Sequence, residues 1–243
     1  PALSLNLPTL EIKVETINGQ APNASGSVTL KGGSVVTVKG YIAKAGNKQT
    51  DYKGLLTATV RDTKELITCK QQEETSTSAF QYYDRQKVLY NGKDSIKNGE
   101  FTFTFAVPRD INYAAGTGLI NLFAINDNHT LMAQGHEEGF TIDGSEVVYN
   151  DSIGPSIYAY LNSPSFVNGG EVNSTPYFYA QITDKDGINA SGNGIGHDMQ
   201  LTIDGKLTQT YILNDNFRYD FGSYTSGATG FSLPDLSEGP HTL

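Results

Sequence analysis

The pattern that most constrains the fold is a strict alternation of large apolar and small side chains at residues 101–107. Every second residue there is phenylalanine or valine, and the residues between them are threonine or alanine. A period of two places all the large side chains on one face of an extended chain. Pro108 follows and ends the run, because proline cannot donate to a strand ladder. The segment is therefore predicted to be a β-strand with one face in a hydrophobic core.

Shorter runs of the same kind continue along the chain and predict an all-β protein. The predicted strands of the first part are residues 35–42, 55–60, 88–90, 101–107, 119–126 and 140–142. Residues 119–126 are nearly all apolar, which is typical of a strand buried on both faces. Turns are predicted at residues 46–48 and at Asn91 and Gly92, because asparagine and glycine adopt positive φ readily. No long amphipathic helix interrupts the strands, which favours an antiparallel sandwich.

The end of the chain is organised in the same way. Its predicted strands are residues 156–161, 176–183, 199–203, 209–213 and 230–233, and residues 236–243 predict a tight turn that opens one more strand. We therefore predict an all-β fold of two tandem immunoglobulin-like antiparallel β-sandwich domains, at residues 26–147 and 148–243. The second domain would lack its last strand. Residues 1–25 are predicted to be a linker or a partial first strand, since apolar residues alternate there only at 10–14.

Composition supports this fold and argues against several function classes. The 243 residues include 26 glycines, 14 tyrosines and 11 phenylalanines, which suits strands joined by many turns. The formal net charge of −9, without a basic cluster, argues against nucleic acid as a partner and gives no reason for attraction to anionic lipid. No apolar run approaches the ~18 residues of a membrane span. Cys69 has no second cysteine with which to form an intrachain disulfide.

A turn-rich loop at residues 184–198 carries most of the side chains that could hold a ligand. Asp184, Asp186 and Asn189 offer hard oxygen atoms, which suit calcium. The EF-hand pattern is not met, because no glutamate stands at its last position. We favour a structural loop held by side-chain bonds to the backbone, and we predict no cofactor, with calcium as the alternative. The same structural role is predicted for Gly187, Gly194, Gly196, His197 and Asp198.

No nucleophile and base stand together in the sequence. His197 and Asp198 are adjacent, so on a strand they point to opposite faces and cannot form a dyad with each other. No serine or cysteine near them lies in a nucleophile-elbow motif. Cys69 has Lys70 as its nearest positive neighbour, which is weak support for a reactive thiolate. We predict that the chain has no catalytic site and that Cys69 is an incidental free thiol.

Several short motifs together resemble one known family. They are the loop DKDGINASGNGIGHD at 184–198, GPSI at 154–157, LND at 213–215, GPHTL at 239–243, and the alternating run that ends in VPRDI at 101–111. From about Gly40 to its last residue the chain is similar to the PorU-like C-terminal signal peptidases (sortases) of the type IX secretion system, which are gingipain-related cysteine peptidases. The region resembled follows the peptidase domain, so the resemblance implies a non-catalytic piece of such an enzyme.

The resemblance also implies partners and a location. The parent enzyme would cleave C-terminal secretion signals and join the new C-terminus to a surface lipopolysaccharide. It would work at the cell surface, at the outer membrane of a Bacteroidetes bacterium, with an outer-membrane barrel protein. The present chain would act as a scaffold between its own upstream peptidase domain and that barrel partner, with no direct membrane span.

The alternative is a cell-surface carbohydrate- or protein-binding module of the adhesin type. Such a module exposes aromatic side chains in a groove, and the candidates here are Tyr82, Tyr83, Tyr158, Tyr160, Tyr177 and Tyr179. Tyrosines on alternating strands are more often half-buried packing residues. We therefore favour the scaffold.

Overall fold

The computed structural model describes residues 8–23, 28–70, 79–109, 111, 116–145, 153–192 and 198–243. Among these residues the helical elements are two short 3₁₀ turns, Leu207–Gln209 and Asn214–Asn216, which confirms the all-β prediction. The strands in chain order are β1 (Leu10–Ile17), β2 (Thr29–Gly32), β3 (Val35–Lys44), β4 (Asn47–Lys48), β5 (Gly54–Arg61), β6 (Glu65–Thr68), β7 (Gln81–Asp84), β8 (Val88–Lys97), β9 (Glu100–Ala106), β10 (Gly116–Thr117), β11 (Leu119–Asn126), β12 (Met132–Glu137), β13 (Thr141–Ser145), β14 (Ser156–Leu161), β15 (Tyr177–Thr183), β16 (Gln200–Thr202), β17 (Thr210–Ile212), β18 (Arg218–Tyr219) and β19 (Ser226–Ser232).

Most strands of the first half, residues 8–145, form one sheet that closes on itself. The order is β1, β12, β11, β5, β8, β9 and β3, and β1 also pairs with β3. β1 runs antiparallel to β3 along most of its length and parallel to β12 at Leu10 and Glu11. The sandwich predicted for residues 26–147 is therefore replaced by a barrel-like sheet, because β1 joins the two edges that a sandwich keeps apart. This closing strand comes from the segment predicted to be a linker or a partial strand.

Glycines on both neighbours of β1 allow the closure. At Gly40 in β3, a Cβ atom would overlap the carbonyl oxygen of Lys13 in β1 and the ring of Phe101 in β9. At Gly135 in β12, a Cβ atom would overlap the carbonyl oxygen of Ile12. No larger side chain fits at either position without a shift, so glycine stands where the backbones approach most closely.

The first half has a core of aromatic and aliphatic side chains. The alternation at residues 101–107 is confirmed as β9, and its Phe103 and Phe105 are almost completely buried. The ring of Tyr90 in β8 stacks against both, with centroid separations of 6.1 and 5.6 Å. Phe140, beside the small sheet of β10, β13 and β2, belongs to the same cluster. Each fully buried large side chain contributes about 1.5–3 kcal/mol, so this cluster is the main stabilising element of the first half.

The predicted turn at Asn91 and Gly92 is wrong. β8 runs through both residues, and the turn into β9 comes later, at Asn98 and Gly99, which both have positive φ. Gly92 serves a different purpose, because the side chain of Tyr90 occupies the space that a Cβ atom would take. The Asn-Gly pair therefore marks a packing requirement inside a strand.

The prediction that residues 119–126 are buried on both faces is also wrong. In β11, Ile120, Leu122 and Ala124 are buried, whereas Asn121 and Phe123 are exposed. The outer face of the closed sheet meets solvent here, so only the inward side chains of β11 enter the core.

The second half, residues 153–243, contains two small sheets. β14, β15, β19 and β18 form an antiparallel sheet in that order, and β16 pairs with β17. Their apolar sides meet in a cluster of Leu201, Ile203, Leu213 and Leu233. The strands predicted at 156–161 and 176–183 are confirmed as β14 and β15, but residues 236–243 form no strand. Within the described residues, these pairings fall short of the about seven strands of an immunoglobulin-like sandwich.

β6 and β7 form a separate hairpin whose strands pair only with each other among the described residues. Nowhere in the described ranges is there a helix with the length and apolar character that a membrane crossing requires.

Substitution of Gly40 tests the closure. Gly40→Ala should destabilise the protein by about 1–3 kcal/mol, the usual cost of adding a methyl group to a filled site. The methyl group must displace the Phe101 ring or part β1 from β3. Urea denaturation followed by circular dichroism measures the change.

Gly154→Ala is the matched control, since a Cβ atom at Gly154 meets nothing within 4 Å. Its free energy of unfolding should be unchanged or slightly higher, because alanine restricts the unfolded chain. Equal stability of the two variants would contradict the close approach at Gly40.

Candidate functional site

The loop that follows β15 is held by its own side chains. The Asp184 carboxylate accepts the main-chain N–H of Asp186 at 2.9 Å. The Asn189 side-chain oxygen accepts the N–H of Ser191 at 3.0 Å and its hydroxyl at 2.6 Å. Lys185 forms an ion pair with Asp186. The side chains proposed as calcium ligands thus bond to groups within the loop, as side chains in Asx turns do.

The remaining predicted loop residues are described only in part. Gly194, Gly196 and His197 lie outside the described residues, so their structural role stays a prediction. Asp198 is half-buried just before β16. Within the described ranges, no three His, Cys, Asp or Glu side chains come together as a metal-binding group.

The same loop touches the closed sheet of the first half. Gly187 has a φ of +105°. A Cβ atom there would lie 2.7 Å from the Cβ of Ala106 in β9 and 3.2 Å from the ring of Tyr224. Glycine is needed at this position both for its conformation and for the close approach. The N–H of Ile188 then donates to the carbonyl oxygen of Tyr224 at 3.0 Å, which ties the loop to the segment before β19.

The second half also contacts the closed sheet beside β8 and β9, whose hydrogen-bonded ladder is short. β8 and β9 pair only at the two positions next to their connecting turn. Farther along β8, the carbonyl oxygen of Lys93 accepts the main-chain N–H of Gly222 at 2.8 Å. The second half thus supplies a hydrogen bond to β8 on the stretch where β9 supplies none. We name this contact between β8, β9 and residues 217–224 the seam.

Tyr219 fills the seam. Its ring centroid lies 5.0 Å from that of Tyr90, and it packs against the core of the first half. Its hydroxyl donates to the carbonyl oxygen of Ile188 at 2.6 Å. Phe217 meets the ring edge-on at 4.9 Å. One side chain therefore joins the first half, the loop and the core of the second half by packing and by a hydrogen bond.

Burial keeps both seam tyrosines protonated. It raises the pKa of Tyr90 to about 12 and also raises the pKa of Tyr219. The Tyr219 hydroxyl must be protonated to donate to Ile188. Both tyrosines therefore stay protonated across the physiological pH range.

A groove of about 260 Å³ runs along the seam, with walls from both halves. Gln86 lines it from the first half, and Asn214 and Arg218 line it from the second. The Arg218 guanidinium donates to the carbonyl oxygen of Asp215 at 2.6 Å, and the Asn214 side chain accepts the N–H of Met199 at 2.9 Å. Asn214 and Arg218 thus already have partners inside the protein, and the groove is a place where the two halves meet.

A side-chain pair that no local sequence pattern predicts fixes residues 237–242. Nδ1 of His241 lies 2.9 Å from Oδ2 of Asp204, and Nε2 lies 2.9 Å from the carbonyl oxygen of Ser237. Asp204 also accepts the main-chain N–H of Thr242 at 2.9 Å and donates its own N–H to the Thr242 carbonyl at 2.8 Å. The Asp-Gly turn and the histidine are both visible in the sequence, but no local pattern connects residues so far apart.

These bonds shift both pKa values in the direction of a charged pair. The N–H of Thr242, and then His241, hold the pKa of Asp204 below its usual value. The carbonyl of Ser237, and then Asp204, raise the pKa of His241. Both ring nitrogens of the protonated histidine donate, so neither is free to act as a base. The pair is a structural clamp.

Cys69 and the β7 tyrosines lie at the β6–β7 hairpin. Cys69 is a half-buried free thiol, and no contact in the described part of the chain joins it to a histidine. Tyr82 and Tyr83 are exposed neighbours on β7, so they point to opposite faces of the hairpin.

The other candidate tyrosines lie on the β14–β15 pair. Tyr160 and Tyr179 are half-buried and stack with ring centroids 4.9 Å apart. Tyr158 and Tyr177 are exposed, in contrast to the half-buried packing that the sequence favours. These tyrosines share one sheet face by register, and they are on a different sheet from the β7 tyrosines.

Comparison with solved structures finds a strong likeness to part of a larger protein. The chain is similar to a crystal structure of dimeric latent PorU from Porphyromonas gingivalis, with a TM-score of 0.62 and 34% sequence identity. The likeness covers 98% of this chain and 22% of that PorU chain. The chain thus spans about a fifth of the protein that it matches, in agreement with the resemblance in its sequence motifs.

A second solved structure is matched at a level that carries no argument. It is Spo0M, a sporulation control protein from Bacillus subtilis, with a TM-score of 0.30 and 12% identity over 72% of this chain and 67% of that chain. No protein-family model and no curated protein matches the sequence.

Truncation of Tyr219 tests the seam. Tyr219→Ala should lower the free energy of unfolding by about 2–4 kcal/mol, less than for a fully buried aromatic ring because Tyr219 is half-buried. Tyr219→Phe keeps the ring and loses only the bond to Ile188, so it should cost about 0.5–1.5 kcal/mol. Urea denaturation compares the two. Equal losses would show that the hydrogen bond, and not packing against Tyr90, holds the seam.

The clamp predicts a pH-dependent effect of His241→Gln. A raised histidine pKa contributes stability that is fully present below the ordinary value of 6.5 and is lost as pH rises through the folded value. The depressed Asp204 pKa contributes stability above 3.8, which is lost as pH falls. The variant should therefore lower the melting temperature more at about pH 5.5 than at about pH 8.5.

Lys206→Gln is the matched control for the clamp. Lys206 lies 3.6 Å from the same carboxylate oxygen of Asp204, and histidine, not lysine, is the residue type that acts as a switch in this pH range. The effect of Lys206→Gln on the melting temperature should be nearly the same at the two pH values. A His241→Gln effect that is also independent of pH would show that the ion pair contributes nothing.

Proposed function

We propose that this chain is a non-catalytic scaffold and interaction region of a PorU-like cell-surface sortase of the type IX secretion system. The observation that carries the proposal is the 34% identity to PorU over 98% of the chain, confined to 22% of the PorU chain. A region of this extent is compatible with the resemblance in the sequence motifs, which implies that the peptidase domain of such a protein precedes it.

The seam supports a mechanical role. Tyr219, the Gly187 loop and the Gly222 N–H all contact the closed sheet, so the halves are held together at several points. Interfaces that share a hydrophobic cluster resist relative motion better than polar ones do. A rigid unit of this kind would keep a peptidase domain at a fixed distance and angle from its anchor.

The proposed partners follow from the same resemblance. They are the upstream peptidase domain of the same polypeptide and the outer-membrane barrel protein of the secretion complex. The proposed location is extracytoplasmic, at the outer membrane. The parent would cleave C-terminal secretion signals and transfer the new C-terminus, and the present chain would contribute positioning only.

The scaffold role is tested in the full-length parent enzyme. Tyr219→Ala should leave hydrolysis of a short synthetic peptide by the purified enzyme within about twofold, because the peptidase domain is not altered. Processing of secreted proteins in cells should fall, because the geometry of the complex is loosened. Tyr219→Phe should retain both activities. Normal processing in cells carrying a stably expressed Tyr219→Ala enzyme would overturn the scaffold role.

A separate assay tests whether the chain is itself an enzyme. The purified chain should not cleave a peptide that carries a C-terminal secretion signal. Cleavage that is abolished by Cys69→Ala would overturn the non-catalytic assignment.

A further inference from the structure

A cleft of about 850 Å³ lies on the outer face of the closed sheet and shares no lining residue with the groove along the seam. β1, β12, β11 and β5 lie side by side there and supply nearly all of its lining. Because β1 pairs with β12 and with β3, the cleft does not lie at an open end of the sheet. A ligand is therefore held mainly by side chains, and not by addition of a peptide strand to a free edge.

The strand register places six outward side chains of the cleft in two rows. The rows across β12, β11 and β5 are Gln134–Phe123–Thr57 and His136–Asn121–Thr59. Side chains that face each other across two strands have Cβ atoms about 4.5–5.5 Å apart. Phe123, in the middle of its row, is 41% exposed. One aromatic ring is thus surrounded by amide, hydroxyl and imidazole groups that donate and accept hydrogen bonds.

The polar side chains of the two rows are not engaged with each other. Among the described residues, none of these five side chains makes a hydrogen bond. Outward threonines elsewhere on the same sheet differ, since the hydroxyls of Thr37 in β3 and Thr104 in β9 bond to each other at 3.2 Å. The hydroxyls of Thr57 and Thr59 are therefore available to a ligand.

The charged side chains of the cleft already have partners. Lys13 pairs with Glu11 at 2.8 Å, and the Glu137 carboxylate accepts the main-chain N–H of Gly139 at 2.6 Å. Within the described lining, this leaves no unpaired carboxylate, ammonium or guanidinium group. The net charge of −9 also disfavours an acidic ligand. The complementary ligand is therefore uncharged and both donates and accepts hydrogen bonds.

We propose that this cleft binds a neutral oligosaccharide. A sugar ring has an apolar C–H face, which packs on the electron-rich face of an aromatic ring, and a rim of hydroxyl groups that donate and accept. Phe123 packs against the apolar face of one sugar ring, and the side chains around it bond to the hydroxyl groups. The OB-fold, another small barrel, also binds oligosaccharides on one face of its sheet. This site is separate from the exposed tyrosines of β7, β14 and β15.

Titration of the purified chain with neutral oligosaccharides of glucose, mannose, galactose and N-acetylglucosamine tests the proposal. The chain has no tryptophan, so Phe123→Trp keeps an aromatic ring and places a single fluorescent reporter in the cleft. At least one of these sugars should change its emission, with a dissociation constant on the order of 1 mM for a small ligand on an open surface. Oligogalacturonate, an acidic sugar, should bind at least tenfold more weakly, since the cleft offers it no free positive charge.

Saturation-transfer NMR measures the same binding in variants without tryptophan. Phe123→Ala should weaken it about tenfold, in the range of one aromatic contact, and Phe123→Tyr should retain it. Phe80→Ala is the matched control, because Phe80 is 70% exposed just before β7, and it should leave binding unchanged. Thr57→Val keeps the shape of the side chain and removes the hydroxyl, so it should weaken binding about two- to tenfold. Thr37→Val, outside the cleft, should have no effect.

Several outcomes would contradict the proposal. They are the absence of binding to every neutral oligosaccharide, binding that Phe123→Ala leaves unchanged, and tighter binding of oligogalacturonate. The full-length parent should bind the same sugar as the purified chain. Loss of binding in the full-length parent would show that another domain covers the cleft, and would overturn the proposal for the intact protein. None of these outcomes depends on the scaffold function proposed above.

Discussion

The contact between Tyr219 and Tyr90 holds the two halves of this protein together. It lies where β8 and β9 cease to pair, so the core of the first half is completed by a side chain of the second. The hydroxyl of Tyr219 reaches Ile188 and thereby orders the loop that carries Gly187. The loop, the seam and the core of the closed sheet are therefore one packed unit.

Much of the strand content could be predicted from the sequence, because period-two patterns report which side chains enter a core. β9, β14 and β15 are where the alternation places them. Closure by β1 could not be predicted, since pairing partners distant in sequence leave no local signal. Gly40, inside an otherwise regular strand, is a hint of a close backbone approach. The Asn-Gly pair in β8 led to a wrong turn prediction. In the sequence alone, a glycine that makes room for an aromatic ring cannot be distinguished from a glycine that forms a turn.

The candidate site could likewise be predicted from the sequence only in part. The loop at residues 184–192 was recognisable because Asp and Asn act on their own backbone neighbours, and that chemistry is local. The seam and the Asp204–His241 clamp were missed because each joins side chains from distant parts of the chain. Tyr90 and Tyr219 look like ordinary strand tyrosines, and only the tertiary structure brings them within 5.0 Å.

The position of Tyr219 in the chain has a consequence for biosynthesis. Domains generally fold as units from the N-terminus while the ribosome is still adding residues. Here the closed sheet can form its hydrogen bonds early, but the gap beside β8 stays unfilled until the segment around Tyr219 leaves the exit tunnel. During that interval the face of the Tyr90 ring that Tyr219 covers is open to solvent or to a chaperone. The first half therefore cannot complete its core until the segment around Tyr219 has been synthesised. Packing of that segment against Tyr90 is the last step in the folding of the first half.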